Sequence, residues 1–272
     1  MSPCNHMAAM NDAEFEDSTG NSQLALTLGG GGARAAYQVG VLRGIASRHP
    51  DLKIPLLTGV SAGAINIGGL SNSTGSFRHR VDELTELWQQ LRLENVFQTG
   101  GASLVWRAVK VGMRLTVGLP DFFEPVNGMV DTRPLHDYLS EALSTTDGIL
   151  HGVRRNLDDG TLRGVAVTTN AYSTGDTVTF FMGRAIVEWE RPHRHSVETS
   201  LSVDHIMASS ALPLFFSPVQ IEGQWYGDGG VRIVAPLAPA VQLGADRLLV
   251  LSTHFAGAEI PRPQTTAAPS PA

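Results

Sequence analysis

Residues 24–42, LALTLGGGGARAAYQVGVL, run a five-residue apolar strand into four consecutive glycines, Gly29 to Gly32, and then into a helical segment. Glycine packs nothing and loses more chain entropy on folding than any other residue, so such a run marks backbone that something must approach closely. A second junction of the same kind follows at once. KIPLLTGV (53–60) is nearly all apolar, as strands buried on both faces are. AGAINIGGL (62–70) behind it reads as a tight helix of small residues. Strand, helix, strand, helix in such quick succession predicts a parallel sheet with right-handed crossovers.

The first helix is expected over Ala33 to His49, with Tyr37, Val41 and Ile45 on one face. VDELTELWQQL (81–91) and SLVWRAVKVGMRLTVGL (103–119) are two further helices, in a segment, 71–135, that reads as a helical insertion or cap. The sheet resumes with LRGVAVTTNAY (162–172) and DTVTFF (176–181), divided by the turn residues Ser173-Thr174-Gly175. VETSLSVDHIMASSA (197–211) is expected as helix. A hairpin over SPVQI and QWYGDGG turns at Glu222-Gly223, and a helix (236–245) and a buried strand (246–253) close the domain. Residues 1–22, with Asp12, Glu14, Glu16 and Asp17, read as a disordered leader, 23–256 as the folded domain and 257–272 as a Pro/Thr-rich tail or linker.

TGVSAGA (58–64) places Gly59, Ser61 and Gly63 in the spacing G-x-S-x-G, between an apolar strand and a small-residue helix. That context is what a nucleophile elbow requires: a serine on a sharp strand-to-helix bend, with the helix N-terminus lending partial positive charge. The plain alternative is an N-cap serine behind a buried strand. In a parallel sheet Leu28 and Val60 end on one edge, so the glycine loop lies beside Ser61. The N–H groups of Gly30, Gly31 and Gly32 are then the oxyanion donors, each worth about 3 kcal/mol in a transition state. Phosphate binding fits the glycines poorly. A Walker loop needs Gly-Lys, which is absent from the chain, and a dinucleotide fingerprint needs a glycine at Arg34 or Ala35.

A nucleophilic serine needs a base. YGDGGV sets Asp228 among Gly227, Gly229 and Gly230, where it is either a turn residue or a carboxylate able to approach other backbone closely. Of nine histidines, His205 and His254 have apolar neighbours, whereas His193 and His195 in RPHRHS read as a solvated loop. Ser61–Asp228–His254 would follow the chain order of an α/β-hydrolase triad. Only one strand precedes this elbow, where that fold places several.

Taken together, these motifs resemble the patatin-like phospholipase family over most of residues 24–253. The family's G-G-G-x-R-G loop is matched by Gly30, Gly31, Gly32 and Arg34, with Ala35 in place of the last glycine. Its nucleophile motif is matched by Gly59, Ser61 and Gly63, and its D-G-G motif by Asp228, Gly229 and Gly230. ASSALPLFFSPV (208–219) is similar to the block that precedes that aspartate. The resemblance implies a three-layer α/β/α fold with a mainly parallel central sheet. It also implies a Ser61–Asp228 dyad in place of a triad, and lipid esters as substrates, hydrolysed with no metal and no cofactor. It leaves His254 a bystander. Arg34 either braces the loop or meets a lipid phosphate. A catalytically silent lipid-binding protein of the same fold is the reading from another class.

The charge balance argues against a nucleic-acid partner: 272 residues carry a net charge of -6, where a nucleic-acid binder presents a basic patch or stripe. Residues 95–120 lack acidic groups, and Arg107, Lys110 and Arg114 share one helical face there, expected as either a solvated cap face or a transient membrane contact. A single cysteine, Cys4, and the lack of a cationic start with an apolar core at the N-terminus point to the cytoplasm, with peripheral membrane contact or signal-less export as alternatives.

Overall fold

In the computed structural model, which describes residues 23–96, 131–231 and 237–253, the apolar run before the glycines is β1 (Leu24–Leu28) and the one before Ser61 is β2 (Leu56–Val60). They are parallel, Leu28 opposite Gly59, so both chains leave the sheet on the same edge. β3 (Gly164–Ala171) lies parallel to β2, and β9 (Arg247–Leu251) parallel to β1 on its other side. Past β3 the sheet continues through β4 (Thr177–Gly183), antiparallel to it, then β6 (Arg194–Glu198) and β5 (Glu190–Arg191). A hairpin of β7 (Val219–Ile221) and β8 (Gln224–Asp228) completes it.

The pairing of β3 brings the site together. β2 uses its first part and stops with Val60 opposite Thr168, and β8 takes the next positions, with Asp228 opposite Thr169. β2 and β8 therefore meet end to end along one side of β3. The residue after Val60 and the last residue of β8 are neighbours by register alone.

Side chains alternate between the two faces of the sheet, as a period of two requires. Leu26, Leu57, Val165 and Phe180 enter the larger core, while Ala25, Leu56, Ala166 and Phe181 enter a smaller one on the opposite face. The larger core is roofed by α1 (Ala35–Arg48), α2 (Ala62–Asn72), α3 (Phe77–Gln90), α5 (Arg133–Ala142), α6 (His151–Asp158) and α7 (Val203–Ser210), through residues such as Leu42, Ile67, Leu84, Leu139, Val153 and Ile206. A short α4 (Leu93–Val96) precedes α5 in the chain. The smaller core is closed by α8 (Ala238–Gln242) with Leu243, Ile186 and Trp189. Helices on both faces of a sheet with a parallel centre give the three layers expected from the sequence.

Several local expectations are corrected. The helix after the glycines opens with a 3-10 turn (Gly32–Arg34), and its buried stripe is Ala35, Gln38, Val39, Leu42 and Ala46; Tyr37 is 65% exposed. A stripe chosen by side-chain size missed Gln38, whose amide is buried because it bonds backbone. The helix expected over 197–211 is split. Val197 belongs to β6, and α7 begins only after Ser202, which caps it reciprocally with His205. RPHRHS is the β5–β6 hairpin, with His193 at φ 57 in its turn, and not an irregular loop. β9 borders the sheet among the described residues: Leu249 and Leu251 pack on the larger core, but Leu248 and Val250 are 36% and 42% exposed. The helix expected at 103–119, with Arg107, Lys110 and Arg114, lies outside the described residues.

Candidate active site

Ser61 stands between β2 and α2 with φ 56 and ψ −133, a conformation L-residues avoid and in which strain is held by the surroundings. Here the surroundings are hydroxyls of α7. Ser209 Oγ accepts the Ser61 N–H at 2.9 Å and donates to the Thr168 carbonyl at 2.7 Å. Ser210 Oγ donates to the Ser61 carbonyl at 3.0 Å. The bend is fixed on both sides of the residue, and its side chain is left free to act. Neither Ser209 nor Ser210 was singled out from the sequence. Their signal was two adjacent hydroxyls in the last turn of the helix, after the apolar run Ile206-Met207-Ala208.

The Ser61 hydroxyl donates to Asp228 Oδ2 at 2.6 Å. Asp228 is 4% exposed, and its Oδ1 accepts the Gly230 N–H at 2.6 Å. Its backbone is anchored by its own N–H to the Ala211 carbonyl and by Asn170 Nδ2 to its carbonyl. Burial raises the Asp228 pKa above the ordinary carboxylate value, opposed by the hydrogen bonds from Ser61 and Gly230. Gly229 packs onto the Thr168 carbonyl, where a Cβ would come within 2.3 Å.

The glycine loop lies where the parallel register puts it. A Cβ built on Gly30 would sit 2.9 Å from Ser61 Cβ and 3.4 Å from its Oγ. Gly59 and Gly63 face each other across the bend, a Cβ on Gly59 falling 2.6 Å from the Gly63 carbonyl oxygen. Among the described residues the N–H groups of Gly30, Gly31 and Gly32 have no hydrogen-bond acceptor. Arg34 is exposed; its N–H and, at 3.5 Å, its Nε donate to the Gly31 carbonyl.

The histidines are elsewhere. His254 lies outside the described residues, and among those described no histidine bonds to Ser61 or Asp228. His205 is 5% exposed and serves the α7 cap: its Nδ1 accepts the Ser202 N–H at 3.1 Å, which assigns the ring proton to Nε2, an atom without a partner among the described residues. Burial lowers its pKa to about 4. The unfolded chain binds a proton at about 6.5 and the folded one at about 4, so between these values the unfolded state holds more protons. The contribution is whole above pH 6.5 and is lost as pH falls toward 4. Urea melts at pH 7.5 and 4.5 are expected to show the parent losing about 2–3 kcal/mol more than His205→Asn over that interval. Equal losses would remove His205 from the acid transition.

A sheet with a parallel centre, roofed by helices on both faces, with a serine at a strand-to-helix bend bonded to a buried carboxylate, defines an α/β/α protein of three layers. The family model for the patatin-like phospholipases matches residues 26–241, and the chain belongs to that family. No curated protein matches it. Among solved structures it is similar to VipD from Legionella pneumophila at 15% identity and a TM-score of 0.48, over 84% of this chain and 49% of that one. Human GIVD cytosolic phospholipase A2, in complex with methyl gamma-linolenyl fluorophosphonate inhibitor and terbium chloride, matches at 16% identity and a TM-score of 0.42, over 85% and 40%. ExoU, in its heterodimeric complex with SpcU from Pseudomonas aeruginosa, matches at 17% and 0.35, over 70% and 36%. The chain thus spans half or less of the length of these proteins.

Proposed function

We propose that this chain is a serine acyl hydrolase that cleaves carboxylic esters of lipids through Ser61 and Asp228, with the amides of Gly30, Gly31 and Gly32 as the oxyanion site. The observation that carries this reading is the 2.6 Å hydrogen bond from the Ser61 hydroxyl to Asp228 Oδ2, at a strained bend where the hydroxyl has no structural task to perform. Membership of the patatin-like phospholipase family supports the lipid ester as substrate.

The chemistry follows from the placement. Ser61 Oγ forms a bond to the ester carbonyl carbon while its proton passes to Asp228 Oδ2. The carbonyl oxygen takes the negative charge beside the glycine amides and the positive end of α2. When the tetrahedral centre collapses, the bond to the alcohol breaks and the departing oxygen takes the proton from Asp228. Water then gives a proton to Asp228 and attacks the acyl carbon. Release of the fatty acid returns that proton to Ser61 Oγ. An aspartate is a weak base, and the raised pKa that burial produces makes it a stronger one.

The test is a fluorophosphonate probe combined with a panel of phospholipid, lysophospholipid and triglyceride, with Ser61→Ala as the background. Covalent labelling at Ser61 and fatty-acid release, both lost in Ser61→Ala, are expected, with His254→Ala near the parent. Hydrolysis that survives Ser61→Ala would overturn the reading. Abolition by His254→Ala would replace the dyad with a triad.

A further inference from the structure

The glycine loop is tethered by its carbonyls. Gln38, fully buried on α1, donates through Nε2 to the Gly29 carbonyl and to the Leu251 carbonyl, each at 2.9 Å. Its Oε1 accepts from Asn66 Nδ2 at 2.9 Å, and Asn66 stands on α2, the helix that Ser61 begins. Asn66 also donates to the Ala35 carbonyl and accepts from Trp88 Nε1 at 2.6 Å, so every polar atom of the two amides has a use. Thr253, two residues past β9, donates its hydroxyl to the Gly30 carbonyl. The same side chain lies against Gly31, where a Cβ would come within 2.2 Å of Thr253 Oγ1.

The described peptide bonds are trans, and in a trans peptide the carbonyl and the following N–H point in opposite directions. Holding the Gly29 carbonyl on the Gln38 side turns the Gly30 N–H to the other side. Holding the Gly30 carbonyl on Thr253 does the same for the Gly31 N–H. These are two of the amides without an acceptor among the described residues, and the first of them belongs to Gly30, which lies against Ser61.

We infer that Gln38 and Thr253 are positioning residues that aim the Gly30 and Gly31 amides at the oxyanion, an inference that rests on the serine-hydrolase reading above. Neither touches the substrate. Their effect is on the direction of two dipoles, which matters when negative charge develops and little when the neutral ester binds. Thr253 is the sharper probe, because it is only half-buried and has two near-isosteric replacements. Valine keeps its shape without the hydroxyl. Serine keeps the hydroxyl without the methyl.

The experiment measures kcat, KM and inhibition by a trifluoromethyl ketone, whose adduct is an oxyanion, for the parent, Thr253→Val, Thr253→Ser, Gln38→Met and Ser61→Ala. Thr253→Val is expected to lose about 10- to 100-fold in kcat with KM within about threefold, and its ketone Ki to rise in step. Gln38→Met is expected to show the same division, and Thr253→Ser to stay within about threefold of the parent. If Ser61→Ala is inactive while Thr253→Val keeps the parent's kcat, the positioning inference fails and the serine reading stands. Equal losses in Thr253→Val and Thr253→Ser, or a loss confined to KM, also overturn it. Activity retained by Ser61→Ala removes the reading beneath it as well.

Discussion

Asp228→Asn is expected to lower kcat/KM on a lipid ester by about 10³- to 10⁴-fold while raising the melting temperature. The two effects have one cause. Asparagine fills the same space, and its Oδ1 keeps the Gly230 N–H now held at 2.6 Å. Its Nδ2 then faces Ser61 Oγ and donates to it, so the hydroxyl has nowhere to deliver its proton. For stability the sign runs the other way. The folded pKa of Asp228 is raised above its unfolded value, so the folded protein holds the extra proton in the window between them, and stability falls as pH rises through that window. Above that window the group is a buried carboxylate that destabilises the fold, and a neutral amide relieves it. A rise of roughly 2–4 °C is expected for each kcal/mol recovered. The same direction of shift places the acid limb of the parent's kcat/KM above the ordinary carboxylate pKa, with activity lost as pH falls through it. Thermal melts and ester hydrolysis on the same samples decide the matter. A variant that keeps a tenth of the activity, or one that loses activity together with ten degrees of Tm, would make Asp228 a structural residue.

The parts of this molecule legible in the sequence are those whose cause is local. β1, β2 and α2 follow from short apolar runs cut by glycines. The β3–β4 and β7–β8 hairpins follow from Ser173-Thr174-Gly175 and Glu222-Gly223. Ser61 and Gly30 were placed on one sheet edge because parallel strands end together, which is where the register puts them. What stayed illegible depends on partners distant in the chain. Nothing near Asp228 says that β8 continues the line of β2 along β3; that is decided by β3 being longer than β2. Ser209, Gln38 and Thr253 are ordinary polar residues until the backbone they bond is in place. The amphipathic α6 went unread because its eight residues give the helical period barely two turns in which to show itself. The β5–β6 hairpin was masked by a histidine- and arginine-rich sequence with no apolar alternation to announce it.

Gly63→Ala is expected to be among the most damaging single methyl groups that can be added near the site. A Cβ at this position falls 2.3 Å from the Leu28 carbonyl oxygen and 2.7 Å from that of Gly29. Both are backbone atoms, and Gln38 already holds the second, so neither can swing aside as a side-chain tip would. α2 must back away from the end of β1. Ser61 moves with it, because its carbonyl accepts the Ala64 N–H at 2.8 Å as the first bond of that helix. The shift opens the gap between the hydroxyl and the glycine loop while the loop stays on its own tethers. Overpacking of this kind costs about 1–3 kcal/mol of stability. A nucleophile misplaced by about 1 Å costs on the order of 10²-fold in acylation, read as the rate of fluorophosphonate labelling. Gly40→Ala and Gly44→Ala in α1 are the matched controls. Both glycines are exposed in a helix with nothing within 4 Å of the added Cβ, and each alanine there is expected to stabilise by up to about 1 kcal/mol with the labelling rate unchanged. One substitution type thus changes sign between two neighbouring helices because only one of them is pressed against the strand end that carries the glycine loop. A Gly63→Ala protein that labels and melts like the parent would mean that the close approach of α2 to β1 does not set the position of Ser61.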